Sequence, residues 1–165
     1  MMQSRRSLLC SLTVLSLFFG CGKKPESVQI GDSVHDFSLH DQAGKVHNMA
    51  ENKEKVILLR FWADWCPNCK EEMPKIDEVY RNLKDKGFVV IGINVKQSEE
   101  AVAAFVKEYS ISFPTPLDKD AATAKKYGVV GLPTTFVIDR NGKIREKVMG
   151  DMTKEDVERL VAPLL

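Results

Sequence analysis

In the stretch Phe61-Trp62-Ala63-Asp64-Trp65-Cys66-Pro67-Asn68-Cys69-Lys70, two cysteines stand two residues apart where a hydrophobic run ends and an amphipathic one begins. Val56 to Trp62 reads as a strand, and Met73, Ile76, Tyr80 and Leu83 then recur at helical spacing from near Pro67 to about Lys86, with Gly87 as the stop. Pro74 falls inside that helix and is expected to kink it. A dithiol at a strand-to-helix handover reads as a redox pair. The free N–H groups and the positive end of the macrodipole at a helix start stabilise an anion, so the outer sulfur, Cys66, should ionise more readily than a free thiol. Cys66 is therefore the candidate nucleophile, and Cys69, one turn on, the candidate resolving thiol. Two other readings stand beside this one, a structural disulfide and half of a zinc site. Zinc wants four ligands; the other cysteines are Cys10 and Cys21, and His35, His40 and His47 lack finger-like spacing.

Upstream of the dithiol, Phe37, Leu39 and Lys45-Val46-His47 alternate around Asp41-Gln42-Ala43-Gly44 and predict a small hairpin. Val56-Ile57-Leu58-Leu59 is a near-continuous apolar run, as a central strand covered on both faces requires. Downstream, Phe88 to Val95 is a second buried strand. Ser98 caps a helix whose Val102, Phe105, Val106 and Tyr109 form one apolar stripe, read as core. Pro114 to Leu117 is a short extended piece, and Asp118 caps a helix to Tyr127, ended by Gly128. Thr134–Asp139 and Lys143–Met149 flank the turn signal Arg140-Asn141-Gly142. Thr153 and Asp156 make a capping box for a last helix that presents Val157, Leu160, Val161 and Leu164. Strands joined by helices and followed by an antiparallel pair give an α/β fold: a central mixed sheet with helices on both faces, an opening hairpin and an inserted helix-strand segment.

With 165 residues, 44% hydrophobic and 28% charged, the chain supports one domain with a proper core. Its net charge is +1, and −1 without Arg5 and Arg6, so there is no basic footprint for nucleic acid. Residues 1–20 have the layout of an export signal: Arg5 and Arg6, an apolar run from Leu8 to Phe19 too short for a comfortable membrane span, then Gly20. Phe18-Phe19-Gly20-Cys21 resembles a bacterial lipobox, which implies lipidation at Cys21, although Leu usually stands at Phe18 and a smaller residue at Phe19. A cleaved signal with a stray thiol at Cys21 and an uncleaved anchor are the alternatives. All three place the domain outside the cytoplasm. Residues 21–29, polar and aperiodic, read as a tether, leaving 30–165 as the domain.

The dithiol stretch, together with Gly131-Leu132-Pro133-Thr134 just before the second hairpin, resembles the thioredoxin fold. The opening hairpin, the insertion between Ser98 and Leu117 and the exported leader are similar to those of the membrane-associated TlpA/ResA/CcmG group. The resemblance implies a cis Leu132–Pro133 bond facing the dithiol. It also implies a substrate platform of Leu132 and Pro133 with Trp65, Pro67 and Asn68 around the thiol, and backbone beside the proline that pairs with an extended peptide. One position departs from thioredoxins: where they carry a buried Asp six residues before the first cysteine, this chain has Arg60. Glu72, three residues after Cys69 on the same helix face, corresponds to a glutamate of the ResA-like proteins. It is the candidate proton handler, with Arg60 either pairing with it or lowering the Cys69 pKa; alternatively both are surface charges.

The expected chemistry is thiol–disulfide exchange with protein or peptide partners by a monomer that needs no metal and no cofactor beyond the Cys66–Cys69 pair. Dithiols on this fold span about −270 to −120 mV, and Pro67-Asn68 does not fix the value. The resemblance implies a reductase recharged by a membrane electron donor and serving cytochrome c maturation or copper-site assembly. A disulfide-introducing oxidase and a Cu(I) metallochaperone holding the metal through both thiolates remain as rivals. A peroxiredoxin would need Pro and Thr where Leu59 and Ala63 stand.

Overall fold

A computed structural model describes residues 27–165, so Cys21, the expected signal and most of the expected tether lie outside the described residues. Strand β3 (Val56–Trp62) is the axis of the domain, and every one of its seven side chains is buried. It pairs in parallel with β4 (Phe88–Val95), which pairs in parallel with the two-residue β5 (Leu117–Asp118). On its other side β3 pairs antiparallel with β6 (Thr134–Ile138), which turns back into β7 (Ile144–Met149). The order is β5-β4-β3-β6-β7, the mixed sheet expected. The opening hairpin, β1 (Ser38–His40) with β2 (Val46–Asn48), forms a separate two-stranded sheet.

Because side chains alternate along a strand, β3 divides its residues between two cores. Val56, Leu58 and Trp62 pack with helices α1 (Pro67–Leu83), α2 (Glu99–Glu108) and α4 (Lys154–Val161) through Met73, Ile76, Val102, Phe105, Val157 and Val161. Ile57, Leu59 and Phe61 face the opposite side, where helix α3 (Ala122–Lys126), Tyr127 and the N-terminal segment cover them. Each such side chain, taken fully out of water, contributes about 1.5–3 kcal/mol. The α2 stripe is core, as its spacing implied: Trp62 stacks on Phe105 with ring centroids 4.5 Å apart. Trp62 Nε1 donates to the Gly92 carbonyl at 2.9 Å, which satisfies the buried indole.

Three local features differ from the sequence reading. The domain begins earlier than residue 30. Val28 is 3% exposed within the second core, and Ser27 lies so close to Gly128 that a Cβ on that glycine would come within 2.4 Å of the serine Cβ. A single apolar residue in a polar stretch carries no period, so nothing in the pattern marks it. Helix α1 continues through Pro74 but stops at Leu83, short of the expected Lys86, and gives way to a 3₁₀ turn, Lys84–Lys86, before Gly87 at φ 86°. The extended piece is Leu117–Asp118, and Asp118 is its end, not the residue next to the helix. The chain first passes through Ala121 in the left-handed region (φ 58°), yet the Asp118 carboxylate still reaches the helix start. It accepts from the N–H of Thr123 at 3.1 Å and of Ala124 at 2.7 Å. Asp118→Ala strands two buried donors, and we expect it to lower stability by about 1–3 kcal/mol in a denaturant titration. The capping box of Thr153 and Asp156 on α4 forms as expected.

Candidate active site: a dithiol at a helix mouth

Cys66 is the N-cap of α1, with extended backbone (φ −86°, ψ 110°), and Pro67 follows at the first helical position, where its missing N–H costs nothing. The Cys69 N–H donates to Cys66 Sγ at 3.3 Å, the bond an ionised Cys66 would use. The two cysteines are joined as a disulfide, their Cα atoms 5.3 Å apart. Cys66 is 4% exposed and Cys69 fully buried, so an incoming sulfur meets Cys66 first. Pro67 and Asn68 are exposed, and Trp65 stands out at 66% exposure. The turn before the helix is held by Gln97: its side-chain carbonyl accepts from the Asp64 N–H and from Asn94 Nδ2, each at 2.7 Å, and its amide donates to the Asp64 carboxylate.

Across the site, the Leu132–Pro133 peptide bond is cis. Phe61 pairs with Thr134 in the sheet register, so Pro133 lies beside the carboxyl end of β3, where the chain leaves for the dithiol. A groove of about 610 Å³ runs here, lined by Trp65, Val95, Lys96, Lys125, Val129, Val130 and Leu132, with Ser27 at its rim. Val130 (87% exposed) and Met149 (65%) extend this apolar surface. Val130 was not singled out from the sequence, since an exposed apolar residue in a loop has no periodic signature, and Met149 was read only as the end of its strand. Among the described residues the backbone N–H and C=O of Leu132 have no hydrogen-bond partner. A second cleft, about 650 Å³, lies at the opposite end of β3 around Ile57 and the Asp139–Gly142 turn, away from the sulfurs.

Arg60 and Glu72 are not surface charges. Arg60 is wholly buried and Glu72 6% exposed, and the guanidinium donates to the Glu72 carboxylate through Nη2 and to Thr135 Oγ1 through Nη1 at 2.9 Å. Thr135 is the register partner of Arg60, a buried polar residue directly across the ladder. Burial lifts the Glu72 carboxyl above the ordinary glutamate range, more than Arg60 and the Met152 N–H pull it down, and Asp151 adds to the rise. Burial acts on Arg60 in the opposite sense and lowers its pKa, against the pull of Glu72 and Asp151. A carboxyl whose folded pKa lies above its unfolded one binds more protons when folded. Its contribution is complete below the unfolded value, about 4.5, and is lost as pH rises through the folded one. The stability of the wild type relative to Glu72→Gln is therefore expected to fall as pH rises through that window, measured by denaturant midpoints at each pH.

The structure thus brings together Cys66, Cys69, Trp65, Asn68, Leu132, Pro133, Glu72 and Arg60 at one end of the sheet. A disulfide at the mouth of a helix, one sulfur reachable and one sheltered, opposed by a cis-proline loop and a groove, defines a thioredoxin-fold thiol–disulfide oxidoreductase. The AhpC/TSA family matches residues 30–147. Thiol-disulfide oxidoreductase ResA of Bacillus thuringiensis subsp. konkukian is 37% identical over 151 residues, covering 92% of this chain and 87% of the relative. ResA of Bacillus subtilis is 37% identical over 161 residues, 94% and 88% of the two chains. The crystal structure of a putative thiol:disulfide interchange protein DsbE from Chlorobium tepidum superposes with a TM-score of 0.79 at 31% identity, covering 84% of this chain and 99% of that one. The chain belongs to the AhpC/TSA family and, within it, to the ResA-type thiol-disulfide oxidoreductases.

Proposed function

We propose that the protein acts outside the cytoplasm, tethered to a membrane through a lipid on Cys21, as a reductant of protein disulfides, with apocytochrome c cysteines among its targets. The observation that carries the exchange is the unequal shelter of the two sulfurs beside a groove with free backbone at Leu132, and the reductive direction rests on the likeness to the ResA-type relatives. An extended substrate segment pairs with that backbone by adding a strand, its apolar side chains lying against Trp65, Val130 and Leu132. The Cys66 thiolate attacks one sulfur of the substrate disulfide; that bond breaks, a mixed disulfide forms, and the second substrate sulfur leaves as a thiolate and takes a proton. Cys69, deprotonated, attacks Cys66 Sγ and displaces the first substrate sulfur. Two electrons have then passed to the substrate, and the Cys66–Cys69 disulfide remains. Glu72, on the Cys69 face of α1 with a carboxyl of raised pKa, accepts the Cys69 proton, and Arg60 holds Glu72 in place. No further cofactor or metal enters. The spent disulfide is recharged by a membrane dithiol donor, and the protein works as a monomer.

The test is the reduction potential of the Cys66/Cys69 pair against glutathione, with reduction of insulin disulfides by the reduced protein. A potential near the thioredoxin end, about −270 mV, with rapid insulin reduction supports the reductase. A potential near the oxidising end, about −120 mV, reverses the direction. Tight Cu(I) binding without turnover replaces the reaction by metal carriage.

A further inference from the structure

The segment Gly150-Asp151-Met152, which links β7 to α4, touches three separate parts of the site. The Gly150 N–H donates to the Pro133 carbonyl at 2.9 Å, from a backbone at φ 96° that a glycine adopts without strain. The Met152 side chain, 3% exposed, packs in the core that contains both cysteines. Between these anchors, the Asp151 carboxylate accepts from Asn68 Nδ2, a bond that spans 83 positions in sequence. Asn68 is one of the two residues enclosed by the dithiol, and Pro67, the other, has no N–H. Among the described residues the Asn68–Asp151 bond is the only side-chain hydrogen bond from the enclosed pair to the rest of the fold.

We propose that Asp151 is a positioning residue for the exchange reaction: by holding Asn68 it keeps the dithiol loop in its disulfide-forming geometry while the Cys66–Cys69 bond is open. In the oxidised protein the covalent bond fixes the loop and Asp151 adds little. In the reduced protein the backbone and this one bond remain, and the alignment of Cys69 against Cys66 depends on them. The Asp151 charge works in the same direction, because a carboxylate near the helix mouth opposes the thiolate that the reduced form carries. Both effects favour the disulfide, and they do so whichever way electrons flow.

The equilibrium constant of the full-length protein with glutathione tests this, read together with thermal unfolding of the oxidised form. In Asp151→Ala the tendency to form the disulfide is expected to fall about three- to tenfold, a potential less negative by about 15–30 mV. Asn68→Ala should shift it the same way, and the double variant should shift no further than the larger single one, since both remove the same bond. Asp151→Asn retains an acceptor for Asn68 and should recover at least half of the change. The oxidised unfolding midpoint should barely move in any of these, because both side chains are at the surface. An unchanged potential in Asp151→Ala, additive shifts in the double variant, or no recovery in Asp151→Asn overturns the proposal.

Discussion

Cys69→Ser is expected to accumulate as a mixed disulfide between Cys66 and its substrate, visible as an adduct on a non-reducing gel and by mass, while multiple-turnover exchange is lost. Cys66→Ser should form no adduct and lose exchange by at least about a thousandfold, the scale seen when a nucleophile is removed. The asymmetry follows from placement. Cys66 caps α1, retains the only exposure of the pair and receives the Cys69 N–H, whereas Cys69 is wholly buried one turn inside. A serine hydroxyl at position 66 stays protonated at neutral pH whatever the helix mouth offers it, so it cannot replace the thiolate. Adducts on Cys66→Ser, formed through Cys69, would exchange the roles of the two sulfurs.

The largest stability effect is expected at the buried ion pair. Glu72→Ala leaves the Arg60 guanidinium inside the protein with Thr135 as its remaining partner, and an uncompensated buried charge costs about 3–5 kcal/mol. Arg60 Nε already lacks a partner among the described residues, so no spare hydrogen bond is at hand to absorb the change. The double variant Arg60→Met with Glu72→Leu removes both charges at similar volume and should recover most of the loss. Chemical denaturation of the three proteins in their oxidised form decides it. A loss below about 1 kcal/mol in Glu72→Ala would mean that the guanidinium reaches water unaided. If the double variant is stable yet slow in releasing substrate, the pair is retained for proton handling at Cys69, not for the fold.

What was legible in the sequence divides along physical lines. The bounds of β3 and β4 coincide with those expected from their apolar runs, because both strands are covered on two faces and Lys55, Gly87 and Lys96 mark three of the four ends. The dithiol, the proline loop and the two hairpins carry local chemistry at fixed spacing, and they were readable for that reason. Arg60 was recognised as a departure, but a lone charge in an apolar strand does not say whether it is paired. Its partners come from a helix twelve residues on and from a strand seventy-five residues on. Asp151 and Gln97 act through contacts across long loops and have no spacing signal at all. The start of α3 was misplaced because a left-handed alanine sits between the aspartate and the helix whose amides it satisfies.

The chain has two tryptophans, and they occupy opposite extremes of environment. Trp62 is sealed in the core on the Gly92 carbonyl, whereas Trp65 is two-thirds exposed and adjacent in sequence to the reachable sulfur. Disulfides quench neighbouring indoles, and both tryptophans are neighbours of this one, Trp65 as the residue before Cys66 and Trp62 in the same core cluster as the two cysteines, so the indole emission should brighten as Cys66 and Cys69 are reduced. The protein therefore carries its own optical gauge of its oxidation state, usable in stopped flow without an added dye.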